Sequence, residues 1–401
     1  MLSEIPDISI IIVNYRVKDY VILLLNSLQK AQKNVKIEVV VVDNNSGDDS
    51  VNYIKTRFPD TQIIANETNE GFGKANNQAL SKVNGKYTLL INPDTVVNED
   101  SLVLMKNYMD SNDDCGVAGF RMLNPDGSFA RECKRSIPDL RSAVFRVLGL
   151  DVLFPKNKII GKRYLGWLPE YEINNVPVIS GAAMFWRTDL LKELRGFDEE
   201  FFMYGEDDEL CFRVKETKYD VRYVPISTIL HFKGESEREV NFRYLKKVNE
   251  GLLLFFQKHF RERYNRLSLW FISLAYQIRI FVLFIILSSK KIKFKNTTKK
   301  KSLIIITDTK NNSLEQKLKQ RGFPYSIISS SLESKEIIDQ INTSQIKYKG
   351  KAKVVFDIKS LTFNEIFTVM EKRRSRKIDF WFLNNDEQKI IGKANIIELT
   401  K

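Results

Sequence analysis

An α/β fold is what this sequence predicts. A mostly parallel, Rossmann-like sheet flanked by helices occupies residues 1–245, a basic amphipathic helical segment follows at 246–301, and a small C-terminal α/β domain closes the chain at 302–401. Three observations carry that expectation. The first third alternates short β-branched runs with segments of helical spacing, the β-α-β order that a parallel sheet requires. The run Ile37–Asn44 is almost continuously apolar, as in strands covered on both faces. Hydrophobic residues make up 43% of the 401, enough for a full core and too many for a disordered chain.

The elements follow in order. Ser9–Tyr15 reads as a strand, and Asp19–Gln32 as a helix with Leu23, Leu24 and Leu28 at helical spacing. Ile37–Asn44 is the second strand, Asp48–Phe58 a helix, Gln62–Ala65 a strand and Gly73–Val83 a helix. Tyr87–Asp94 is the next strand, before a helix from about Asp100 to Met109. Pro125-Asp126-Gly127 marks a turn. Arg131–Tyr171 is basic, aromatic and weakly periodic, and is expected to be a substrate-covering loop with short helices. Val178–Arg187 and Tyr223–Phe232 are strand-like and bracket the acidic stretch Gly196–Val214. In the last hundred residues, strands at Ser302–Asp308, Tyr325–Ser329, Lys353–Ile358 and Lys377–Leu383 accompany helices near Leu314–Gln320 and Phe363–Arg373.

The net charge of +13 is unevenly placed. Twelve Lys or Arg and a single acid, Glu262, lie between Phe256 and Lys301, and the remainder is nearly neutral. A nucleic-acid coat would be basic throughout, so no nucleic-acid partner is expected. Inside the basic segment, Leu267–Lys291 is long enough to span a bilayer. Gln277 and Arg279 sit near its middle, where an Arg costs about 2.5–3.5 kcal/mol. An in-plane helix on an anionic membrane surface fits better; a soluble helix between domains and a true span stay as alternatives. The cysteines Cys115, Cys133 and Cys211 form no close pair, and His231 and His259 are the only histidines. That excludes a disulfide framework and a histidine-rich metal site. The N-terminus lacks a signal-peptide pattern, and a cytoplasmic protein is expected.

The strand ends are polar. They read Asn14-Tyr15, Asp43-Asn44-Asn45-Ser46 and Asn92-Pro93-Asp94. In parallel sheets, ligands collect beyond such carboxyl ends. The segment GEDDEL brings Glu206, Asp207, Asp208 and Glu209 together, a costly grouping unless solvated, paired or given a proton-transfer task. Read alone, it is an acidic first helical turn, and His231 is a structural histidine.

Taken in order, SIIIVNY, VVVVDNNSGDDS, NEGFGKANNQAL, GKYTLLINPDTVV, ISGAAMFWR, RGFDEEFFMYGEDDELCFR and HFKGES resemble the family 2 glycosyltransferases, in particular their bacterial rhamnosyltransferase-like branch, over about Ser9–Ser236. The resemblance implies a GT-A fold, a nucleotide-sugar donor, a divalent cation (Mg²⁺ or Mn²⁺) and inversion at the anomeric carbon. By resemblance, Asn92-Pro93-Asp94 stands where the family carries an Asp-x-Asp-like metal triplet, so Asp94 is the anionic ligand and His231 its companion. Asp207 matches the base and Glu206 its neighbour that positions the acceptor, while Asp208 fills a slot that is usually apolar. Asp43 would accept the imide N–H of a uracil or thymine. Asn14, Tyr15, Asn45, Asn76 and Asn92 would hold ribose and phosphate, and Gly71 and Gly73 would let the backbone approach the diphosphate. Gly181 would open room beside the acceptor; Trp186 and Phe202 are either sugar platforms or core. The expected partner is a glycan or lipid-linked oligosaccharide acceptor at the cytoplasmic face of the membrane. The alternative is a non-catalytic nucleotide-sugar or glycan-binding module.

Overall fold

The computed structural model describes residues 5–235, 242–261, six positions between 270 and 278, 302–308, 312–347, 352–374, 378–393 and 395–399. Most of the expected amphipathic helix at 267–289 lies outside the described residues. Among those described, no helix is long and apolar enough to cross a membrane.

The first half follows the alternation that the sequence predicts. It runs β1 (Ile8–Asn14), α1 (Lys18–Ala31), β2 (Ile37–Asp43), α2 (Ser50–Arg57), β3 (Gln62–Ala65), α3 (Phe72–Leu80) and β4 (Tyr87–Ile91). Then come β5 (Thr95–Val97), α4 (Ser101–Asp110) and β6 (Cys115–Leu123). The middle contains β7 (Lys134–Arg135), α5 (Leu140–Val147), α6 (Leu150–Leu153), β8 (Asn174–Asn175), β9 (Val178–Ile179), β10 (Ala183–Arg187), α7 (Thr188–Glu193), α8 (Glu206–Val214), β11 (Asp220–His231) and α9 (Phe242–His259).

One sheet is ordered β3-β2-β1-β4-β10-β6-β11-β5, with β8 on β11. Strands β1, β2, β3, β4, β6 and β11 share a direction; β10, β5 and β8 run against it. The sheet is therefore mostly parallel but mixed. Not legible were the fully buried strand β6, the short strands β5 and β8, and the break at Ser180-Gly181-Ala182 that splits Val178–Arg187 into β9 and β10. Helix α9 straddles the expected boundary at residue 245.

The C-terminal unit is a second sheet, from β12 (Leu303–Thr307), α10 (Asn312–Gln320), β13 (Tyr325–Ser329), α11 (Ser334–Lys347), β14 (Ala352–Asp357), α12 (Phe363–Lys372), β15 (Ile378–Asn384), β16 (Lys389–Gly392) and β17 (Asn395–Glu398). Its order is β13-β12-β14-β15-β16-β17, the first four parallel. Helix α11 and the β16–β17 hairpin were not legible in the sequence.

Helix α1 explains how the two units join. Its run Tyr20-Val21-Ile22-Leu23-Leu24-Leu25 is buried on every side, which a helix on an open sheet face would not be. The C-terminal unit covers its outer side. Tyr20 Oη lies 2.7 Å from the Gly392 carbonyl, Lys30 Nζ donates to the Leu361 carbonyl at 3.1 Å, and Lys389 pairs with Asp19 at 2.7 Å. Glu99 reaches across to the start of α12, accepting from the Phe363 and Asn364 N–H groups at 2.8 and 3.2 Å. A carboxylate at that position satisfies two helix-end donors and favours the positive end of the helix dipole. The variant Glu99→Ala is expected to lower the stability of the C-terminal unit by about 1 kcal/mol, read as faster amide exchange in α12 than in α1.

Candidate active site

Backbone register assembles the floor of the site. Strand β4 pairs with β10 so that Ile91 faces Ala183, and the Asn92 N–H continues the ladder to the Ala182 carbonyl at 2.9 Å. Strand β5 pairs with β11 so that Thr95 faces His231. Asp94 and His231, far apart in sequence, thus become neighbours, with Asp94 Oδ1 at 3.2 Å from His231 Nε2. The Glu235 N–H approaches the other Asp94 oxygen at 3.4 Å.

Another wall is the first turn of α8. Asp207 Oδ2 accepts from the Gly181 N–H at 2.8 Å and from the Arg135 guanidinium, and Asp207 Oδ1 accepts from the Asp208 N–H at 2.9 Å. A Cβ on Gly181 would stand 3.0 Å from the Asp207 side chain, so any larger residue there would make that carboxylate shift by a few tenths of an ångström. The expectation that Gly181 opens space is thus refined: the space is filled by Asp207. Asp208 Oδ2 accepts from Arg163 at 2.6 Å, and Glu209 is bound side-on by Arg213 at 2.9 Å. Burial would raise the Asp208 carboxyl, but Arg135 and Arg163 hold it below the usual carboxylate range. Among the described residues, Glu206 has no such ion-pair partner. Burial, then the adjacent Asp207, push its carboxyl up to about 8, so it keeps its proton at neutral pH.

Both walls border one cavity of about 660 Å³. Its lining includes Asn92, Asp94 and His231 together with Gly181, Glu206, Asp207 and Asp208. Several buried polar atoms without a partner among the described residues belong to this lining: Asn92 Oδ1, Arg135 Nε, Glu206 Oε2, Asp208 Oδ1 and His231 Nδ1. Buried groups of this kind are costly, and a polar ligand in the cavity would satisfy them.

The expected donor residues divide into two groups. Tyr15, Gly71 and Asn92 line the cavity; Asn14, Asp43, Asn45, Gly73 and Asn76 do not. Asn14 Nδ2 donates to Asp43 Oδ1 at 2.7 Å, and the Ser46 hydroxyl donates to the same oxygen at 2.6 Å, so this trio ties the ends of β1 and β2 together. Asn76 Nδ2 donates to the Phe72 carbonyl at 2.9 Å within α3, and Asn45 is exposed at a turn with φ +64°. Gly71 takes φ +84° where the loop passes Phe202, and its Cβ would meet the Phe202 carbonyl at 2.8 Å. Phe202 lines the cavity; Trp186 is core.

Several cavity residues were missed, among them Asn44, Arg135, Arg163 and Lys393. Asn44 holds the Asn69–Gly71 loop, its Nδ2 donating to the Gly71 carbonyl at 3.1 Å. Arg135 and Arg163 come from the stretch with weak periodicity, and Lys393 comes from the C-terminal unit. The one available signal was Asp208: a carboxylate in an apolar slot demands a buried cation, and Arg131–Tyr171 is rich in them.

Among the described residues, no group of three or more His, Cys, Asp or Glu is placed to hold a metal by itself. Asp94 and His231 fit a cation whose remaining ligands are phosphate and water, the hard-oxygen set that Mg²⁺ and Mn²⁺ accept.

The Glu206 carboxyl gives a signed prediction. The folded state binds its proton more tightly than the unfolded state, so stability falls as pH rises from about 4.5 to about 8. Glu206→Gln keeps the shape and removes the ionisation. In denaturant titrations the stability difference, variant minus parent, is expected to grow steadily in the variant's favour across that window. A constant difference would place the Glu206 proton elsewhere.

Residues 9–166 match the family described as Glycosyl transferase family 2. The chain is 25% identical over 218 residues to the N-acetylglucosaminyl-diphospho-decaprenol L-rhamnosyltransferase of Mycobacterium tuberculosis, covering 50% of this chain and 68% of that one. It is 26% identical over 238 residues to the rhamnosyltransferase WbbL of Escherichia coli K12, covering 57% and 84%. A mannosyltransferase from Pyrobaculum calidifontis, solved with GDP-mannose and Mn²⁺, overlaps loosely, with a TM-score of 0.44 at 15% identity over 74% of this chain and 77% of that chain. The sequence blocks quoted above begin within the matched span and continue beyond it; residues 9–166 carry a family 2 glycosyltransferase domain, and these relatives support its rhamnosyltransferase-like branch.

Proposed function

We propose that this glycosyltransferase moves a hexose from a dTDP- or UDP-sugar to a glycan acceptor carried on a lipid, with inversion, during cell-surface polysaccharide synthesis. Rhamnose is the sugar that the names of two relatives support. The observation that carries the reading is the single cavity bordered by Asp94, His231, Glu206 and Asp207 together.

The chemistry divides between the walls. Asp94 and His231 are the residues that would hold a divalent cation, which when bound offsets charge on the departing diphosphate. Tyr15, Gly71 and Asn92 border the same end and form the donor side. Asp207 receives the acceptor hydroxyl proton. Arg135 pairs with its carboxylate and, with the Gly181 N–H, fixes its direction. An ion-paired carboxylate is a weak base in the ground state. The hydroxyl becomes acidic only as its oxygen bonds to the anomeric carbon, so transfer to Asp207 comes late in the displacement. Glu206, neutral beside it, has a proton to donate to an acceptor oxygen and adds no charge to the wall. The basic segment, together with the lipid-linked acceptor, supports a place at the inner face of the cell membrane.

A panel of nucleotide sugars with a lipid-linked acceptor, followed by release of free nucleoside diphosphate, tests the reading. Release is expected for a pyrimidine donor and is expected to stop with chelator. Asp207→Asn is expected to lower transfer by at least about 100-fold while donor binding persists. Near-parental transfer by that variant would remove Asp207 from the role of base. Gly181→Ala, which displaces the same carboxylate, is expected to lower turnover more than it raises the KM for donor.

A further inference from the structure

Helix α5 has two unlike faces. Ser142, Ala143 and Arg146 point into the catalytic cavity and form part of its lining. Arg141, Val144 and Leu148 stand on the outer face, at the spacing of one helical stripe. The helix start is held firmly, since the Asp139 side chain accepts from the Ser142 N–H at 2.8 Å as half of a capping box. At Gly149 the chain turns with φ +72° into α6.

The outer side of this hairpin is apolar and exposed. Val144, Leu148, Val152, Leu153, Phe154 and Ile159 all face solvent, with Leu148 at 64% and Leu153 at 70% exposure. Such residues normally occur singly on a surface. The charge around them has one sign. Arg141, Lys156 and Lys158 are exposed, and the one acid between residues 140 and 163, Asp151, is buried.

We propose that the outer face of the α5–α6 hairpin docks on an anionic bilayer surface and brings the cavity mouth to the level of the lipid headgroups. Apolar side chains that enter the headgroup boundary, rimmed by cations and free of exposed acid, are the combination that binds such a surface. A second copy of this chain fits poorly, because a two-fold contact would set the same cations against each other. The geometry gives the docking a purpose: the cavity wall and the lipid face are opposite sides of one helix, so a lipid-linked acceptor reaches Asp207 without leaving the membrane. That purpose rests on the proposed function, but the docking is measured without any substrate.

The test places a reporter on the hairpin itself, so that binding through the basic segment is not mistaken for it. Cys115, Cys133 and Cys211 are buried, so Leu153→Cys in the full chain takes an environment-sensitive thiol dye selectively. With vesicles of phosphatidylcholine and phosphatidylglycerol, the dye emission is expected to shift to the blue. The shift is expected to shrink at about 1 M salt, where charge is screened within about 3 Å, and to be weak on phosphatidylcholine alone. A dye that stays in water on anionic vesicles overturns the proposal. So does a shift that follows protein concentration without vesicles, which would mean a second copy. The combined variant Leu148→Ser, Leu153→Ser, Phe154→Ser is expected to bind anionic vesicles at least about 10-fold more weakly with an unchanged circular dichroism spectrum; unchanged affinity also overturns it. Vesicle docking with no sugar transfer would retain this inference and defeat the proposed function.

Discussion

Four adjacent carboxylates in one helical turn cannot be buried as four charges. The desolvation cost and mutual repulsion would exceed what the helix dipole returns. In this protein each acid is compensated separately. Asp207 is met by Arg135, Asp208 by Arg163 and Glu209 by Arg213, and Glu206 keeps its proton. The rest of the site depends on this arrangement. It leaves an arginine-paired carboxylate and a neutral carboxyl side by side in the cavity lining, which is how neighbouring groups acquire different proton roles.

The compensation also accounts for the irregular middle of the chain. Residues 131–171 build only short elements, yet they are stitched in place: Arg135 lies on β7, which pairs with β9 beside Gly181, and the Ser136 N–H donates to the Arg163 carbonyl at 3.0 Å. The stretch is less a flexible cover than a carrier of buried cations. Its α5 helix forms cavity wall on one side and exposed apolar surface on the other.

The C-terminal unit is joined to the catalytic half through α1 and not through a linker alone. Phe232, next to His231, packs on Phe382 at 5.6 Å, and Tyr20 Oη reaches both Glu235, at 2.8 Å, and the Gly392 carbonyl. Glu235 in turn approaches Asp94. The floor of the cavity at Asp94 and His231 is therefore held partly from the second sheet, and Lys393 borders the cavity from there.

Most of the strand and helix order, the polar strand ends and the acidic turn at Glu206–Glu209 were readable from residues 9–236. Local periodicity and seven ordered blocks encode them. The sequence also contained the evidence for docking, in the unbroken apolar run of α1, but periodicity alone does not say which surface covers a helix. Only the tertiary structure decided which strand-end residues border the cavity: Asn14 and Asp43 bond each other, while Asn44 holds the loop at Gly71. It also decided that Asp208 is answered by Arg163 and that α5 lines the cavity. These outcomes depend on register between distant strands and on charge pairs 45 to 72 residues apart. Such contacts arise when the chain closes on itself, and no local pattern of residues records them.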